Sequence, residues 1–378
     1  MHLQEKLKYK HSKIWGSNLI LSDIPWDYYL HPCPIFYAEE LSKHGPTLWV
    51  NPPTRNPAKT KLIFKNKNLL IFTPIIFKRP SDDSGFGKLE VRIQLKATSL
   101  FFLGSPTSVW SISTAYPHLI KENPSAVSIF WTGDFFSPEK EYKSYKNFDL
   151  ALCLTPKTHE SIPNKFKGEK VHFHMCSQLS RKEKKSLSSK YVSSILEKGS
   201  KYNKTAGYVG TLSDRRVDFD SLFYLIENLP DIFFIIVGVG DGSQSTEEKI
   251  CRLKSKSNVQ FIEGMDYEDL AEVISEFDMG LIPYKTDHAN IGTCPTKFVD
   301  YSCMGKPTIS TRLPGLEKFG DLILIADSKE DFRFLIQNFK ANDHSKPNDL
   351  IKFAHESNPS EFLRKFEDAL AHLYEKVN

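Results

Sequence analysis

The second half of the chain alternates short apolar runs with amphipathic segments of helix length. The apolar runs are rich in β-branched and aromatic residues, which favour strands. They lie at 206–210, 232–238, 258–264, 278–284, 307–311 and 321–326, and helical periodicity occurs near 217–228, 245–256, 267–276 and 295–304. Strands separated by helices of about 10–15 residues indicate βαβ units. This half is therefore predicted to form a parallel, doubly wound sheet covered by helices on both faces.

The first half repeats this pattern less regularly. Strand-like runs lie at 18–23, 47–52, 68–74, 107–113, 126–133, 150–156 and 170–175, and the segments 35–44 and 87–103 fit helices. A length of 378 residues also favours two domains, at about 100–200 residues each. The end of a Lys/Ser-rich stretch at 180–205 is predicted to be an interdomain linker that follows a helix. We predict domains at 1–200 and 201–345, followed by helices within 346–378.

Composition excludes several classes of protein. Hydrophobic residues make up 40% and charged residues 25%, and 50 Lys plus Arg against 46 Asp plus Glu give a charge of only +4. This bias is too weak to indicate a nucleic-acid partner. The longest apolar run, 69–77, is too short for a membrane span of about 20 residues. No secretory signal is evident, and the six cysteines are scattered, which favours a cytoplasmic protein with reduced thiols.

The loop after the first strand of the second domain is the first candidate binding element. Gly210 and Thr211 follow the strand directly, and Arg215 and Arg216 come shortly afterwards. Glycine allows close approach of a ligand to the backbone, and arginine binds phosphate oxygens with two hydrogen bonds. A diphosphate would fit this loop. A solvated basic turn is the alternative for each arginine.

The segment from Thr296 to Asp300 is the second candidate element. Pro295 and Gly305 mark the start and end of a short helix. Free N–H groups in its first turn, together with Lys297, would form an anion site. Asp300 shares a helix face with Thr296 and Lys297, and its carboxylate could accept both hydroxyl groups of a ribose. A salt bridge between Lys297 and Asp300 is the alternative.

Two further loops follow predicted strands. The Gly238–Gly242 loop is explained as well by a tight turn as by a nucleotide fingerprint. Glu263 and Met265 lie in the other loop, whose backbone could frame the base of a nucleotide.

Four segments of the second half together carry a family resemblance. GYVGTLSDRR, IIVGVGDG, NVQFIEGMDYEDLAEVISEFDMGLIPY and CPTKFVDYSCMGKPTIST occur in this order. They resemble the donor domain of GT-B glycosyltransferases, in particular glycosyltransferase family 4 and transferases of bacterial surface-polysaccharide synthesis. The segments IPWDYY and SIFWTGDFFSPEKEYKSYKNFDLALCLTP of the first half resemble the teichuronic-acid type of these enzymes.

The resemblance implies an α/β fold of the GT-B type, with two Rossmann-like doubly wound domains facing a central cleft. It implies an acceptor domain first, a nucleotide-sugar domain second, and final helices that return to the first domain. The implied donor is a UDP- or GDP-linked sugar, which is a substrate, and no cofactor or metal is expected. The implied acceptor is a polysaccharide or a lipid-linked glycan.

One position departs from the pattern of retaining family-4 enzymes. These resemble one another in two glutamates eight positions apart, and Asp300 fits the second place while Gly292 occupies the first. Gly292 supplies no carboxylate, which favours an inverting transfer with a separate general base. Asp134 is the first candidate, because aromatic neighbours raise the basicity of a carboxylate and inverting transferases of the xanthan type have an Asp in a comparable loop. A helix N-cap is the alternative reading of Asp134.

The remaining candidates are weaker. Asp27 is the second candidate base, and His288 could contact the donor sugar. Two histidines, His172 and His174, have no third ligand at a recognisable spacing, so no metal site is predicted.

Two other functions and a membrane contact stay open. The chain could be an inactive sugar-nucleotide-binding subunit or a nucleotide-sugar epimerase. The lysines at 6, 8, 10 and 13 and the segment 88–96 could contact anionic lipid peripherally; the alternative is a solvated helix over the core of the first domain.

Overall fold

The chain forms two compact units. The first comprises Met1–Phe173 and Pro359–Asn378, and the second comprises His174–Asn358. The computed structural model describes residues 15–28, 33–77, 86–112, 116, 122–132, 142–143, 145–173, 175–177, 179, 190–287, 290, 292–340 and 347–375. The division lies at 173 instead of the predicted 200, because the Lys/Ser-rich stretch belongs to the second unit and does not separate the two.

The first unit contains an eight-stranded sheet. Its strands are β1 (Asn18–Leu21), β2 (Thr47–Val50), β3 (Leu62–Asn66), β4 (Leu69–Phe72), β5 (Ser108–Ile112), β6 (Val127–Trp131), β7 (Leu150–Cys153) and β8 (Glu169–His172), in the order β3-β4-β2-β1-β5-β6-β7-β8. Only β3 is antiparallel. Its described helices are α1 (Cys33–His44), α2 (Phe86–Phe102) and α3 (Pro156–Ser161).

The core of this sheet explains which strands the sequence could predict. Strands β1, β2, β4, β5, β6 and β7 are buried along their whole length, as expected of parallel strands covered on both faces. Their continuous apolar runs predicted them correctly. The edge strand β3 is exposed throughout and was not predicted.

The last helix of the described chain belongs to the first unit. This helix, α11 (Pro359–Glu375), packs Phe362 against Tyr37 of α1 with ring centroids 4.6 Å apart, and Phe366 against Trp15 at 5.5 Å. The preceding helix, α10 (Pro347–Glu356), stays in the second unit. Only the part from 359 onward therefore joins the first unit, instead of the whole segment 346–378.

The second unit contains a six-stranded, fully parallel sheet. Its strands are β9 (Lys204–Val209), β10 (Ile232–Gly238), β11 (Val259–Glu263), β12 (Met279–Ile282), β13 (Thr308–Thr311) and β14 (Leu324–Ala326), in the order β11-β10-β9-β12-β13-β14. The helices, besides α10, are α4 (Lys190–Gly199), α5 (Phe219–Asn228), α6 (Gln244–Lys254), α7 (Tyr267–Ser275), α8 (Lys297–Cys303) and α9 (Lys329–Asn338). This is the predicted doubly wound arrangement, in the strand order of Rossmann domains.

Candidate functional site

The strand order of the second unit determines where a ligand would bind. The order reverses between β9 and β12, which are neighbours in the sheet. In open α/β sheets, ligands bind at the carboxyl ends of the strands at such a reversal. Gly210 follows β9 directly, Tyr284 follows β12, and Lys297 begins α8. These three residues form the centre of the candidate site.

Gly210 and the side chain of Lys297 lie against each other. The backbone of Gly210 has a φ of 140°, and a Cβ atom at this position would lie 3.1 Å from both Cε and Nζ of Lys297. Its N–H donates to the carbonyl of Val237 at 2.9 Å. A larger residue would be strained and would crowd the amino group. The glycine therefore keeps the backbone and the amino group close together.

Lys297 is a buried cation held among aromatic rings. Only 8% of the residue is exposed. Its amino group donates to the hydroxyl of Tyr284 and lies 4.4 Å and 5.1 Å from the ring centroids of Tyr284 and Tyr208. Within the described parts of the chain, no carboxylate forms an ion pair with it. A buried ammonium group without an anionic partner is costly, and an anionic ligand would supply that partner.

The tyrosines beside Lys297 respond to its charge. Burial alone would raise the pKa of Tyr284, but the charges of Lys297 and Arg216 outweigh it and lower this pKa. Burial raises the pKa of Tyr208, whose hydroxyl donates to the carbonyl of Thr211 at 2.8 Å. Arg216 therefore adds to the positive potential of the site. Arg215 is exposed, and its predicted contact with a phosphate stays a prediction.

Asp300 lies one turn further along α8. It is 6% exposed, and its Oδ1 accepts hydrogen bonds from Ser177 Oγ at 2.7 Å and Tyr267 Oη at 2.8 Å. Among the described residues, no hydrogen bond reaches Oδ2. Burial raises the pKa of Asp300 to about 6, against the opposing effects of Ser177, Tyr267 and Lys297. Lys297 and Asp300 form no ion pair, so the salt-bridge alternative is wrong.

The start of α8 differs from the prediction. The helix has seven residues, and Thr296 makes no side-chain cap. The N–H groups of Phe298 and Val299 donate to the carbonyls of Pro295 and Thr296 at 3.1 Å and 2.8 Å. The expectation of free N–H donors is wrong at these positions, because a tight turn already uses them. The positive charge comes from the Lys297 side chain instead.

Two polar atoms in the segment before α8 are buried without a partner. They are Asn290 Oδ1 and Thr293 Oγ1, neither of which has a hydrogen bond to any described residue. The Asn290 side chain is otherwise fixed, since its Nδ2 donates to the carbonyls of Lys285 at 2.8 Å and Arg216 at 3.0 Å. Buried polar groups are nearly always satisfied in native proteins. These two atoms are thus further candidates for ligand contact.

Several predicted site residues lie elsewhere. Glu263 is exposed and pairs with Lys254 at 2.5 Å; Met265 is half-buried. The base-framing role of this loop stays a prediction. Asp27, in the first unit, is exposed and pairs with Lys61 at 2.8 Å, which lowers its pKa. A lowered pKa disfavours the predicted role of Asp27 as a general base.

Asp134, His288 and the lysines at 6, 8, 10 and 13 lie outside the described residues. No group of three or more His, Cys, Asp or Glu side chains that could hold a metal ion occurs in the part of the chain that the structure describes. No described helix is long and apolar enough to cross a membrane.

Four residues that contact Lys297 or Asp300 were not predicted. Tyr208 and Tyr284 occur in the segments GYVG and LIPY, where they read as strand residues. Ser177 and Tyr267 are far from Asp300 in sequence. The available signal was the position of both tyrosines near the ends of strands β9 and β12, beside the predicted phosphate loop.

Two Rossmann-like units of this topology define the GT-B class of fold. Trehalose-6-phosphate synthase OtsA superposes with a TM-score of 0.72 at 11% identity, over 94% of this chain and 99% of that one. Sucrose-phosphate synthase from Thermosynechococcus elongatus superposes with a TM-score of 0.71 at 13% identity, over 96% of this chain and 99% of that one. Anabaena Alr3699/HepE, solved in complex with UDP, superposes with a TM-score of 0.63 at 13% identity, over 94% of this chain and 100% of that one.

Part of the second unit matches a known sequence family. Residues 203–339 match the family described as Glycosyl transferases group 1. No curated protein sequence is significantly similar to the chain. The chain therefore has the fold of GT-B glycosyltransferases and carries a glycosyl transferases group 1 domain. The predicted glycosyltransferase class is confirmed at this level.

Proposed function

We propose that this chain transfers a sugar from a UDP- or GDP-linked donor to a hydroxyl group of a polysaccharide or lipid-linked glycan. The observation that carries the proposal is the buried, carboxylate-free ammonium group of Lys297 beside Gly210 at the strand-order reversal. Such a site favours a multiply charged anion that approaches the backbone closely. The diphosphate of a nucleotide sugar has this chemistry.

The donor would be held by two groups on α8. Lys297 binds the diphosphate, with Arg216 adding positive potential. Asp300 binds the ribose, because Oδ1 is already engaged by Ser177 and Tyr267 and Oδ2 can accept from the ribose hydroxyl groups. Gly238–Gly242 serves as a structural turn in this proposal, since Asp241 within it accepts from Ser243 N and Oγ at 3.0 Å and 2.7 Å.

The proposed reaction is a direct displacement. An acceptor hydroxyl attacks the anomeric carbon, Asp134 takes the hydroxyl proton, and the bond to the diphosphate breaks with its electron pair on the leaving oxygen. Lys297 stabilises the charge that develops there. The configuration at the anomeric carbon is thereby inverted. Asp134 is supported by its position in the sequence, after the β6 strand and among aromatic residues.

We place this reaction in the cytoplasm. All six cysteines are free thiols, which suits a reducing compartment.

Calorimetric titration with UDP and GDP tests the donor site. Lys297→Ala removes the charge that borders Gly210, so we expect an affinity loss of about 100-fold for the preferred nucleotide. Lys352→Ala is the matched control, because Lys352 is an exposed lysine on α10 of the same unit. Equal affinities for the Lys297 variant and the wild type would refute the proposed diphosphate site.

The Asp134→Asn variant tests the base. We expect transfer to fall by about 10³-fold with unchanged nucleotide affinity. Loss of binding together with transfer would overturn the role of Asp134. Donor turnover without acceptor, giving an epimerised sugar, would favour an epimerase, and no turnover by the wild type with any nucleotide sugar and membrane-derived acceptor would favour an inactive binding subunit.

A further inference from the structure

Tyr284 is held firmly in place just after strand β12. The residue is 5% exposed. Its N–H donates to the carbonyl of Ile282 at 3.0 Å, and its own carbonyl accepts from Thr311 Oγ1 at 2.7 Å. An isolated antiparallel bridge joins it to Val217, in the loop that carries Arg216. Because its backbone is bonded on several sides and its ring is buried, the fold itself places the hydroxyl.

The hydroxyl oxygen of Tyr284 faces the charge of Lys297. It accepts a hydrogen bond from the amino group, whose nitrogen lies 4.4 Å from the centroid of the tyrosine ring. The same amino group borders Gly210, where a Cβ atom would lie 3.1 Å from Nζ. A lysine side chain is long and flexible, so a fixed acceptor is needed to hold its charge at one place. Tyr284 supplies that acceptor.

Tyr284 differs from the other buried tyrosines near it. The hydroxyls of Tyr208 and Tyr301 are bonded to the backbone of β9 or of the loop after it, and burial raises the pKa of both. Burial opposes ionisation of Tyr284 as well, but the charges of Lys297 on α8 and Arg216 in the loop outweigh it and lower the pKa. Among these tyrosines, Tyr284 is therefore the one that ionises most readily.

We propose that Tyr284 is a positioning residue for the diphosphate site: its oxygen holds the ammonium group of Lys297 beside Gly210 and, where that oxygen is ionised, takes up a proton when the diphosphate binds. This inference rests on the proposed function, in which Lys297 binds the diphosphate. Two negative groups that compete for one buried ammonium group repel each other. The proton comes from solvent and forms the O–H bond of the neutral phenol, and no covalent bond to the ligand forms.

An absorbance titration of the nucleotide-free full chain detects the ionised form. Tyrosinate has a near-ultraviolet band that neutral tyrosine lacks. We expect one early ionisation step between pH about 7 and about 10, ahead of the other tyrosines. Tyr284→Phe and Lys297→Met should each abolish this step, the second because burial then keeps Tyr284 neutral. A wild type without the early step, or a Tyr284→Phe variant that retains it, would overturn the proposal.

Calorimetry with UDP and GDP in buffers of different ionisation enthalpy measures the proton. In the pH range of the early step, the wild type should take up a proton on binding and lose its tyrosinate band. Its affinity should fall by up to about tenfold per pH unit as pH rises, a fall that Tyr284→Phe should lack. Protons exchanged by the nucleotide itself are common to both proteins. Uptake without loss of the band would assign the proton to Lys297 and overturn the proposal.

Affinity at neutral pH measures the positioning itself. Tyr284→Phe keeps the aromatic ring over the ammonium group but removes the oxygen, so we expect nucleotide affinity to fall by about tenfold. Tyr202→Phe is the matched control, because it removes a hydroxyl that donates to the carbonyl of Ser257 in the same unit. It should change neither the affinity nor the early step. Equal affinities for Tyr284→Phe and the wild type would refute the positioning role.

The proposed function and this inference fail in different ways. A folded wild type that binds neither UDP nor GDP at any pH would overturn the diphosphate site and the role of Tyr284 with it. Nucleotide binding without proton uptake would leave the diphosphate site intact and refute the role of Tyr284 alone. The absorbance titration needs no nucleotide, and the wild-type measurements do not depend on the folding of any variant.

Discussion

The carboxyl ends of the two sheets carry polar groups of different kinds. In the first unit, Asn51 follows β2 and is 5% exposed. Its Oδ1 accepts from Trp26 N at 2.7 Å and Trp49 Nε1 at 2.9 Å, and its Nδ2 donates to Thr73 Oγ1 at 2.8 Å. This network is neutral and well connected. In the second unit, helix α8, which follows strand β12, carries two buried charged side chains, Lys297 and Asp300.

The difference between the Asn51 network and the two charges separates polar clusters that stabilise the fold from those that bind a ligand. A neutral, satisfied network stabilises the fold, and breaking it leaves buried donors without acceptors. Buried charges without opposite partners destabilise the fold and are retained where a ligand needs them. Buried polar groups near the carboxyl ends of two similar sheets can thus have opposite effects on folding.

The largest expected effect concerns the neutral network. Asn51→Leu should lower the free energy of unfolding of the first unit by about 4 kcal/mol, because Trp26 N and Trp49 Nε1 lose their acceptor. Urea denaturation followed by tryptophan fluorescence measures it, since all five tryptophans lie in the first unit. Asn228→Leu, at an exposed position, is the control and should change stability by less than about 0.5 kcal/mol. An Asn51→Leu variant as stable as the wild type would contradict the stabilising role of the neutral network.

The next prediction is a gain in the stability of the second unit, on replacing Asp300. The pKa of Asp300 is raised from 3.8 to about 6 in the folded state, so the folded protein binds this proton more tightly than the unfolded chain. The stability contribution of Asp300 therefore falls as pH rises from about 4 to above 6. Asp300→Asn mimics the protonated side chain and should stabilise the second unit by about 2–3 kcal/mol at pH about 8, with a loss of nucleotide affinity.

Thermal unfolding of the Asp300 variant and the wild type across pH checks this. The stability difference should disappear below pH about 4, where both side chains are neutral. A variant that is less stable than the wild type at pH about 8 would mean that the carboxylate stabilises the fold.

The smallest effect sharpens the role of Asp300 in binding. Nucleotide affinity should fall as pH decreases through about 6, because protonated Asp300 accepts hydrogen bonds poorly. Tyr267→Phe removes the hydrogen bond to Oδ1 and should raise the midpoint by about 0.5–1 pH unit. Titration calorimetry at several pH values measures the midpoint. Tyr202→Phe, which removes a hydrogen bond to the carbonyl of Ser257, should leave it unchanged; a common shift in both would exclude a specific role for Tyr267.

The sequence predicted the parallel strands because buried strands have continuous runs of apolar residues. It did not predict β3, whose side chains are exposed and interrupted by Lys65. It located Lys297 and Asp300 from helix spacing. It did not reveal Ser177, because the contact with Asp300 joins residues 123 positions apart, and it could not show that a tight turn uses the N–H groups of α8. Local patterns specify elements, whereas the partners of a buried charge depend on tertiary structure.

The packing of α11 against Trp15 and Tyr37 has a consequence for biosynthesis. The second unit is inserted within the first, because Pro359–Asn378 completes the unit that Met1–Phe173 begins. During translation, the sheet of the second unit can therefore be completed while the first unit still lacks its last helix. Trp15 and Tyr37 gain their Phe366 and Phe362 contacts only after that helix leaves the ribosome. Chaperones would thus meet the first unit, not the second, as the later-folding part of each nascent chain.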